Sequence, residues 1–171
     1  TRRLEGRIAI VPGAGCVGPG WGNGRATAVR FAEEGAKIFA VDLNPDALEE
    51  TIERTRNVGG EIVGHICDIT DGDAVAAMVR ACVDHFGRVD ILVNNVGGSA
   101  KGGPADMTED VWDKQVDFNL KSVYLTCRNV LPIMEKQQSG AIVNTSSTSG
   151  MRWTGAAQSA YAATKAAVIQ F

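Results

Sequence analysis

Five short, almost wholly apolar runs recur along this chain, and longer stretches with helical spacing separate them. No other feature restricts the fold as much. The runs are Arg7–Val11, Lys37–Asp42, Glu61–Ile66, Val89–Asn94 and Ala141–Thr145. Strands that are apolar nearly throughout suit burial on both faces, which a parallel sheet covered by helices requires. Helices are predicted at Arg25–Glu34, from Asn44 or Pro45 to Val58, and at Asp71–Phe86. A longer one opens on a Thr108 cap and runs beyond Asn129, where Pro132 is expected to bend or end it. The last runs from Ser159 to Phe171. Ala26, Val29 and Ala32 or Phe31 should face inward on the first helix, and Val75, Met78, Val79, Cys82 and Val83 on the third. Right-handed crossovers then leave a doubly wound parallel sheet in three layers, one domain over residues 1–171. The chain stops inside a helical pattern without a cap or turn, so further C-terminal sequence is expected beyond it.

The turn after the first strand is unusual. Six of the twelve residues from Gly13 to Gly24 are glycine, in a chain that holds twenty. Glycines at a strand-to-helix turn let the backbone approach a pyrophosphate, whose charge then sits on the helix N-terminus. Asp42 follows Gly24 by 18 residues, at the end of the second strand, near the spacing expected of a ribose-binding acid. Its carboxylate can accept from ribose hydroxyls and would repel a 2′-phosphate, with no arginine beside it, which favours NAD over NADP. A solvated strand-end acid is the competing reading. Asp68, after the third strand, stands either as an adenine contact or as a helix cap near Asp71. Together these features point to a Rossmann-like doubly wound sheet with a nucleotide site at this turn.

Composition excludes other classes. With 17 basic and 20 acidic residues the net charge is −3, so there is no electrostatic footprint for nucleic acid or an anionic membrane surface. No apolar run approaches the length of a membrane span, and the opening residues from Thr1 to Gly6 carry no secretory h-region. Cys16, Cys67, Cys82 and Cys127 are scattered, and with His65 and His85 they form no metal-ligand set. Reduced thiols acting as small hydrophobes fit a cytoplasmic setting.

Tyr161 and Lys165 lie four apart and therefore share one helix face. A phenol is a poor base at neutral pH, and a neighbouring ammonium stabilises its phenolate. Such a pair suits proton exchange with an alcohol or ketone, although two surface residues on a helix would show the same spacing. Ser146-Ser147 after the fifth strand and Asn119 in the long helix add weight.

These elements jointly resemble the short-chain dehydrogenase/reductase family over nearly the whole chain. The resemblance rests on the Gly-rich turn, Asp68, Asn94-Asn95-Val96-Gly97, Asn119, Ser147 and Tyr161-Ala162-Ala163-Thr164-Lys165. It implies Tyr161 as general acid and base, with Lys165 holding the nicotinamide ribose and lowering the tyrosine pKa. Ser147 would hydrogen-bond the substrate oxygen, and Asn119 would hold a water in a proton relay. Gly13, Gly22, Asn23, Gly24, Asp42, Leu43, Asp68, Ile69, Asn95, Val96 and Gly97 would contact the cofactor beside Tyr161 and Lys165. Asn94 to Gly97 would also stabilise the central strand. The long helix and the last helix would form the interface of a homodimer or homotetramer.

Three departures stand out. Pro12 replaces the family's threonine, and registering from Gly22-Asn23-Gly24 makes the turn five residues longer, with Cys16 to Trp21 roughly the insert. Gly18-Pro19-Gly20 offers a rival register. The serine-to-tyrosine gap is 14, one longer than usual, and the Asn144-x-Ser-Ser-x-x-Gly150 frame favours Ser147. The family also continues through two more strands and a substrate-covering loop. Trp21 stands either over the cofactor phosphates or packed within the enlarged turn, and Arg152 either on a substrate carboxylate or simply exposed. The leading expectation is an NAD-dependent dehydrogenase of a small secondary alcohol, or the reverse ketone reduction. NADPH-linked reduction of a 3-oxoacyl thioester and non-catalytic nucleotide binding are the alternatives.

Overall fold

The computed structural model describes residues 2–171, and Thr1 lies outside the described residues. Five strands form one sheet: β1 (Ile8–Pro12), β2 (Lys37–Asp42), β3 (Ile62–Ile66), β4 (Ile91–Asn94) and β5 (Ala141–Asn144). Their order is β3-β2-β1-β4-β5, and every pairing is parallel. The expected doubly wound sheet is therefore present. Connections run to one side of β1 and then jump to the other, so a crevice opens at the carboxyl ends of β1 and β4, where ligands sit in such sheets.

Strand side chains alternate between two apolar layers. Ile8, Ile10, Phe39, Val41 and Leu92 join a layer with Val75, Met78, Val79, Cys82, Val123 and Val130. These come from α3 (Gly72–Phe86) and α5 (Ser122–Gln137). Ala9, Val11, Ile38, Ala40 and Val93 face Ala28, Ala32, Leu48 and Ile52 of α1 (Asn23–Glu33) and α2 (Pro45–Asn57). Burying each large aliphatic side chain contributes about 1.5–3 kcal/mol, and the alanines let α1 approach the sheet closely.

Local signals account for most helix starts. Asn44, Asp71 and Thr108 each accept backbone amides of the first turn that follows. The long helix comprises α4 (Glu109–Val116), a π-turn at Asp117–Lys121 and α5. Of the two effects expected of Pro132, it does not end the helix, and α5 continues to Gln137. The carbonyl that Pro132 leaves without a donor belongs to Arg128, on the exposed side where water can serve it. On α1 the inward stripe is Gly24, Arg25, Ala28, Val29 and Ala32, and Ala26 is exposed. On α3, Val83 is only half-buried, and the other four expected residues are buried. The last helix, α6, spans Ser159–Gln170.

At the far end of the sheet Asp90 is buried, and its carboxylate accepts the Ile8 amide at 2.9 Å and Arg88 Nη2 at 2.6 Å. Arg7 pairs with it at 3.3 Å. Burial alone would raise its pKa, but hydrogen bonds from Arg88, Ile8 and Arg7 and the Arg88 charge hold it below the usual carboxylate range. A depressed folded-state pKa contributes stability above the unfolded value of about 3.9 and loses it as pH falls through the folded value. Asp90→Ala should therefore lower stability at neutral pH by about 1–3 kcal/mol, because it orphans the buried Ile8 amide. It should also flatten the acid limb. Urea midpoints measured at neutral pH and below pH ~4 check both expectations; an unchanged acid limb would refute the assignment.

Candidate active site

A cavity of about 700 Å³ lies over the carboxyl ends of the strands. One wall comes from the β1–α1 turn, with Gly13, Gly15, Cys16, Gly22, Asn23 and Gly24. The others carry Asp42 and Leu43, Asp68 and Ile69, Asn95 to Gly97, and Ser147, Tyr161 and Lys165. All the cofactor contacts expected from the sequence thus line one space. Gly15, Cys16, Asn44, Phe118 and Thr145 also line it without having been singled out as contacts.

Close backbone approach builds the glycine wall. Gly13 has φ +73°, and a Cβ there would meet Val96 Cγ2 at 2.9 Å. A Cβ on Gly24 would overlap the Gly13 carbonyl oxygen, so α1 starts in backbone contact with the end of β1. A Cβ on Gly18 or Gly20 would have no atom within 4 Å, which leaves the Gly13 and Gly22-Asn23-Gly24 register as the packed one. Gly22 precedes α1 without a side-chain cap, and no acid stands in the first turn. The helix N-terminus therefore keeps amide donors and a positive dipole end toward the cavity.

Asp42 does more than end a strand. Its Oδ2 accepts the Gly15 amide at 2.8 Å and its Oδ1 the Asn44 amide at 2.9 Å. Each oxygen retains a lone pair for a hydroxyl donor. Asp68 is exposed, and hydrogen bonds from the Thr70 hydroxyl and amide hold its carboxyl below the usual range. The cap of α3 is Asp71, so capping is not the role of Asp68. Trp21 is 59% exposed and lies under the Arg54 guanidinium at 4.7 Å, packed against α2.

Asn94 ties the central strands. Its amide donates to Asn144 Oδ1 at 2.9 Å, and its carbonyl accepts Thr126 Oγ1 at 2.7 Å. Asn95 Nδ2 donates to the Gly13 carbonyl at 3.2 Å, across the crevice floor.

On the opposite wall the two adjacent serines differ. Ser146 Oγ donates to the Lys165 carbonyl at 2.7 Å and so spends its proton within the fold. Ser147 Oγ accepts the Ser149 amide at 3.2 Å, and its proton stays available to the cavity. Gly150 lets α6 pack on this turn, since a Cβ there would lie 2.6 Å from the Ala166 amide nitrogen. Lys165 is 3% exposed and donates from Nζ to the Thr145 carbonyl at 2.7 Å, 5.9 Å from the centre of the Tyr161 ring. It has no carboxylate partner among the described residues, and burial pushes its pKa below the ordinary lysine range.

Asn119 is fully buried in the π-turn and does not line the cavity. Its Oδ1 accepts the Gly98 amide at 3.0 Å, and its Nδ2 donates to the Gly98 carbonyl and to Gln115 Oε1. Both amide hydrogens are thereby committed. A Cβ on Gly97 would stand 2.9 Å from both Asn119 Oδ1 and Lys165 Nζ, which places those groups on either side of that residue.

Met151, Arg152 and Trp153 are exposed, with the latter two beside a smaller cavity of about 200 Å³. No helix among the described residues is long and apolar enough to cross a membrane, and no cluster of three or more potential metal ligands occurs among them.

A family model described as short chain dehydrogenase matches residues 9–171. The 3-oxoacyl-acyl-carrier-protein reductase FabG of Thermotoga maritima is 36% identical over 167 residues, 98% of this chain and 65% of its own length. A crystal structure from Burkholderia xenovorans, assigned to the short-chain dehydrogenases/reductases, shares 54% identity with a TM-score of 0.98. That match covers 99% of this chain and 68% of the other. NAD+-bound xylitol dehydrogenase shares 34% identity with a TM-score of 0.91, over 98% of this chain and 63% of that one. The chain thus spans about two thirds of the length of the proteins it matches.

Proposed function

The chain belongs to the short-chain dehydrogenase family, and on that premise we propose that it oxidises a secondary alcohol with NAD+, or reduces the matching ketone with NADH. The observation that carries this reading is the cavity itself. A glycine-lined wall with an uncapped helix N-terminus and Asp42 faces a wall bearing Ser147, Tyr161 and Lys165. The glycines build a close-packed backbone cradle, with the end of β1 against the start of α1 beneath that N-terminus, which fits a dinucleotide pyrophosphate. When bound, the nicotinamide accepts or supplies the hydride.

The residues handle binding and the proton. Ser147 Oγ donates to the substrate oxygen. Tyr161 Oη takes the hydroxyl proton in oxidation and returns it in reduction, with the buried Lys165 ammonium beside its ring. Asn119 acts from behind the cavity by holding Gly98, with one lone pair of Oδ1 left for a water. Asp68 and Ile69 meet the adenine end, and Asp42 accepts from the adenosine ribose.

Lys165 is the one cation among the described residues lining the cavity, so a 2′-phosphate beside Asp42 would face a carboxylate with no counter-charge. NAD+ should bind more than tenfold tighter than NADP+, and Asp42→Asn should narrow that gap. Fluorescence or calorimetric titration with both dinucleotides measures it. Tighter NADP+ binding would instead favour the thioester reductase reading, which the FabG relative supports by its name. The exposed Trp112, Tyr124 and Leu131 on the long helix support self-association as a dimer or tetramer.

A further inference from the structure

We propose that Arg25 is a positioning residue for the cofactor: it latches the enlarged glycine-rich turn onto α2 and so sets the wall against which the pyrophosphate rests. The role deepens the reading of this cavity as a dinucleotide site and depends on it.

Arg25 is fully buried although it follows Gly24 at the start of α1. A buried guanidinium persists only when its donors and its charge are matched. Here Nε donates to Thr51 Oγ1 at 3.0 Å, Nη1 to the Gly20 carbonyl, and Nη2 to the Ala47 carbonyl at 3.1 Å. Glu50 Oε2 supplies the charge partner, 2.8 Å from Nη1. Thr51 Oγ1 in turn donates to the Ala14 carbonyl at 2.8 Å. The carbonyls of Ala14 and Gly20 are thus held by one Arg25–Thr51 unit, one at each foot of the enlarged segment.

A second tie reinforces the outer foot. Glu50 Oε1 accepts Arg54 at 2.8 Å, and Arg54 covers the Trp21 ring. Between the feet little holds the chain: Val17 is fully exposed and Gly18 borders open space. Yet Gly15, Cys16 and Val17 line the cavity. An arch five residues longer than usual would carry extra conformational entropy if either foot were released. Lysine could not replace the arginine, because a single ammonium cannot span the fork of Thr51, Gly20, Ala47 and Glu50.

The arch contains its own reporter. Cys16 is partly exposed, whereas Cys67, Cys82 and Cys127 are buried. Burial pushes the Cys67 thiol up to about 11 and the Cys82 thiol up to about 12, which makes them slow to react. The rate of Cys16 labelling by Ellman's reagent therefore reads the mobility of the arch.

The test compares the unaltered chain with Arg25→Lys and Thr51→Val, measuring NAD+ dissociation constants, Cys16 labelling rates and urea midpoints. Arg25→Lys should weaken NAD+ binding by about tenfold or more and speed labelling by a similar factor. Thr51→Val should do both to a smaller extent. In turnover, KM for NAD+ should rise while kcat holds, because Tyr161 and Lys165 sit on α6. Faster labelling with unchanged NAD+ affinity overturns the role, as does no change in either. Should Arg25→Lys fail to fold, Thr51→Val decides alone by the same two readouts. Failure of the unaltered chain to bind NAD+ or NADP+ would instead defeat the cofactor reading, and the labelling ratio would still tell whether Arg25 holds the arch.

Discussion

Tyr161→Phe should lower turnover of a secondary alcohol with NAD+ by about two to four orders of magnitude, the usual contribution of a positioned acid or base. The change deletes one oxygen and keeps the ring, so NAD+ affinity and the urea midpoint should hold. That separation distinguishes loss of a proton carrier from loss of structure. Lys165→Met is the instructive companion. It should lose turnover and cofactor affinity together, because the ammonium serves both. Its effect on folding should be small or favourable, since burial of a charge held only by the Thr145 carbonyl opposes folding. The sign follows from linkage. With the folded pKa depressed, the unfolded chain binds more protons between the two values, so stability rises with pH toward the unfolded lysine pKa of about 10.4. Lys165→Met should remove that alkaline rise. A Tyr161→Phe variant with its rate intact would sink the proposed chemistry and favour a non-catalytic nucleotide-binding protein.

The second large effect is expected at Gly24. In an ordinary helix alanine is better than glycine by about 1 kcal/mol, so Gly24→Ala would be expected to stabilise α1. Here the added Cβ would overlap the Gly13 carbonyl oxygen, and a backbone atom cannot rotate away. Either α1 or the end of β1 must move, which at core positions costs about 1–3 kcal/mol and occasionally more. The displacement would also pull Asn95 from its 3.2 Å bond to Gly13 and open the cradle. Gly24→Ala should therefore lower the urea midpoint and abolish measurable NAD+ binding. Gly18→Ala, where nothing lies within 4 Å, should be neutral in both. Equal behaviour of the two variants would show that the helix-side register is wrong.

How much of this was legible in the sequence follows from what each signal measures. Apolar periodicity reports burial, so the five strands, their parallel arrangement and most of the α3 face could be read from it. The glycine register could be read from the helix side, because the spacing of Gly22 and Gly24 to Ala26 matches a helix start. Arg25 could not be anticipated: a pattern that scores arginine as polar assigns the inward place to Ala26, and only the docking of Gly24 on Gly13 rotates Arg25 inside. The π-turn around Asn119 leaves no compositional trace, since it depends on one shifted hydrogen-bond register. Pro132 lies inside α5 without ending it, because a proline's effect on a helix depends on which carbonyl loses its partner, and Arg128 is on the exposed side. The competition between Asp68 and Asp71 turned on a few residues of helix phase, finer than any boundary that spacing can place.

The reciprocal ties between β5 and α6 bear on how such a protein can diversify. Ser146 grips the carbonyl of Lys165, and the ammonium of Lys165 grips the carbonyl of Thr145, so both links run through main-chain atoms. Main-chain atoms are the same whatever the neighbouring side chains are. The segment from Met151 to Ala157 between these elements is exposed throughout. Its sequence can therefore drift without loosening the grip. Substitutions within that exposed stretch should therefore leave the placement of Lys165 against β5 as it is.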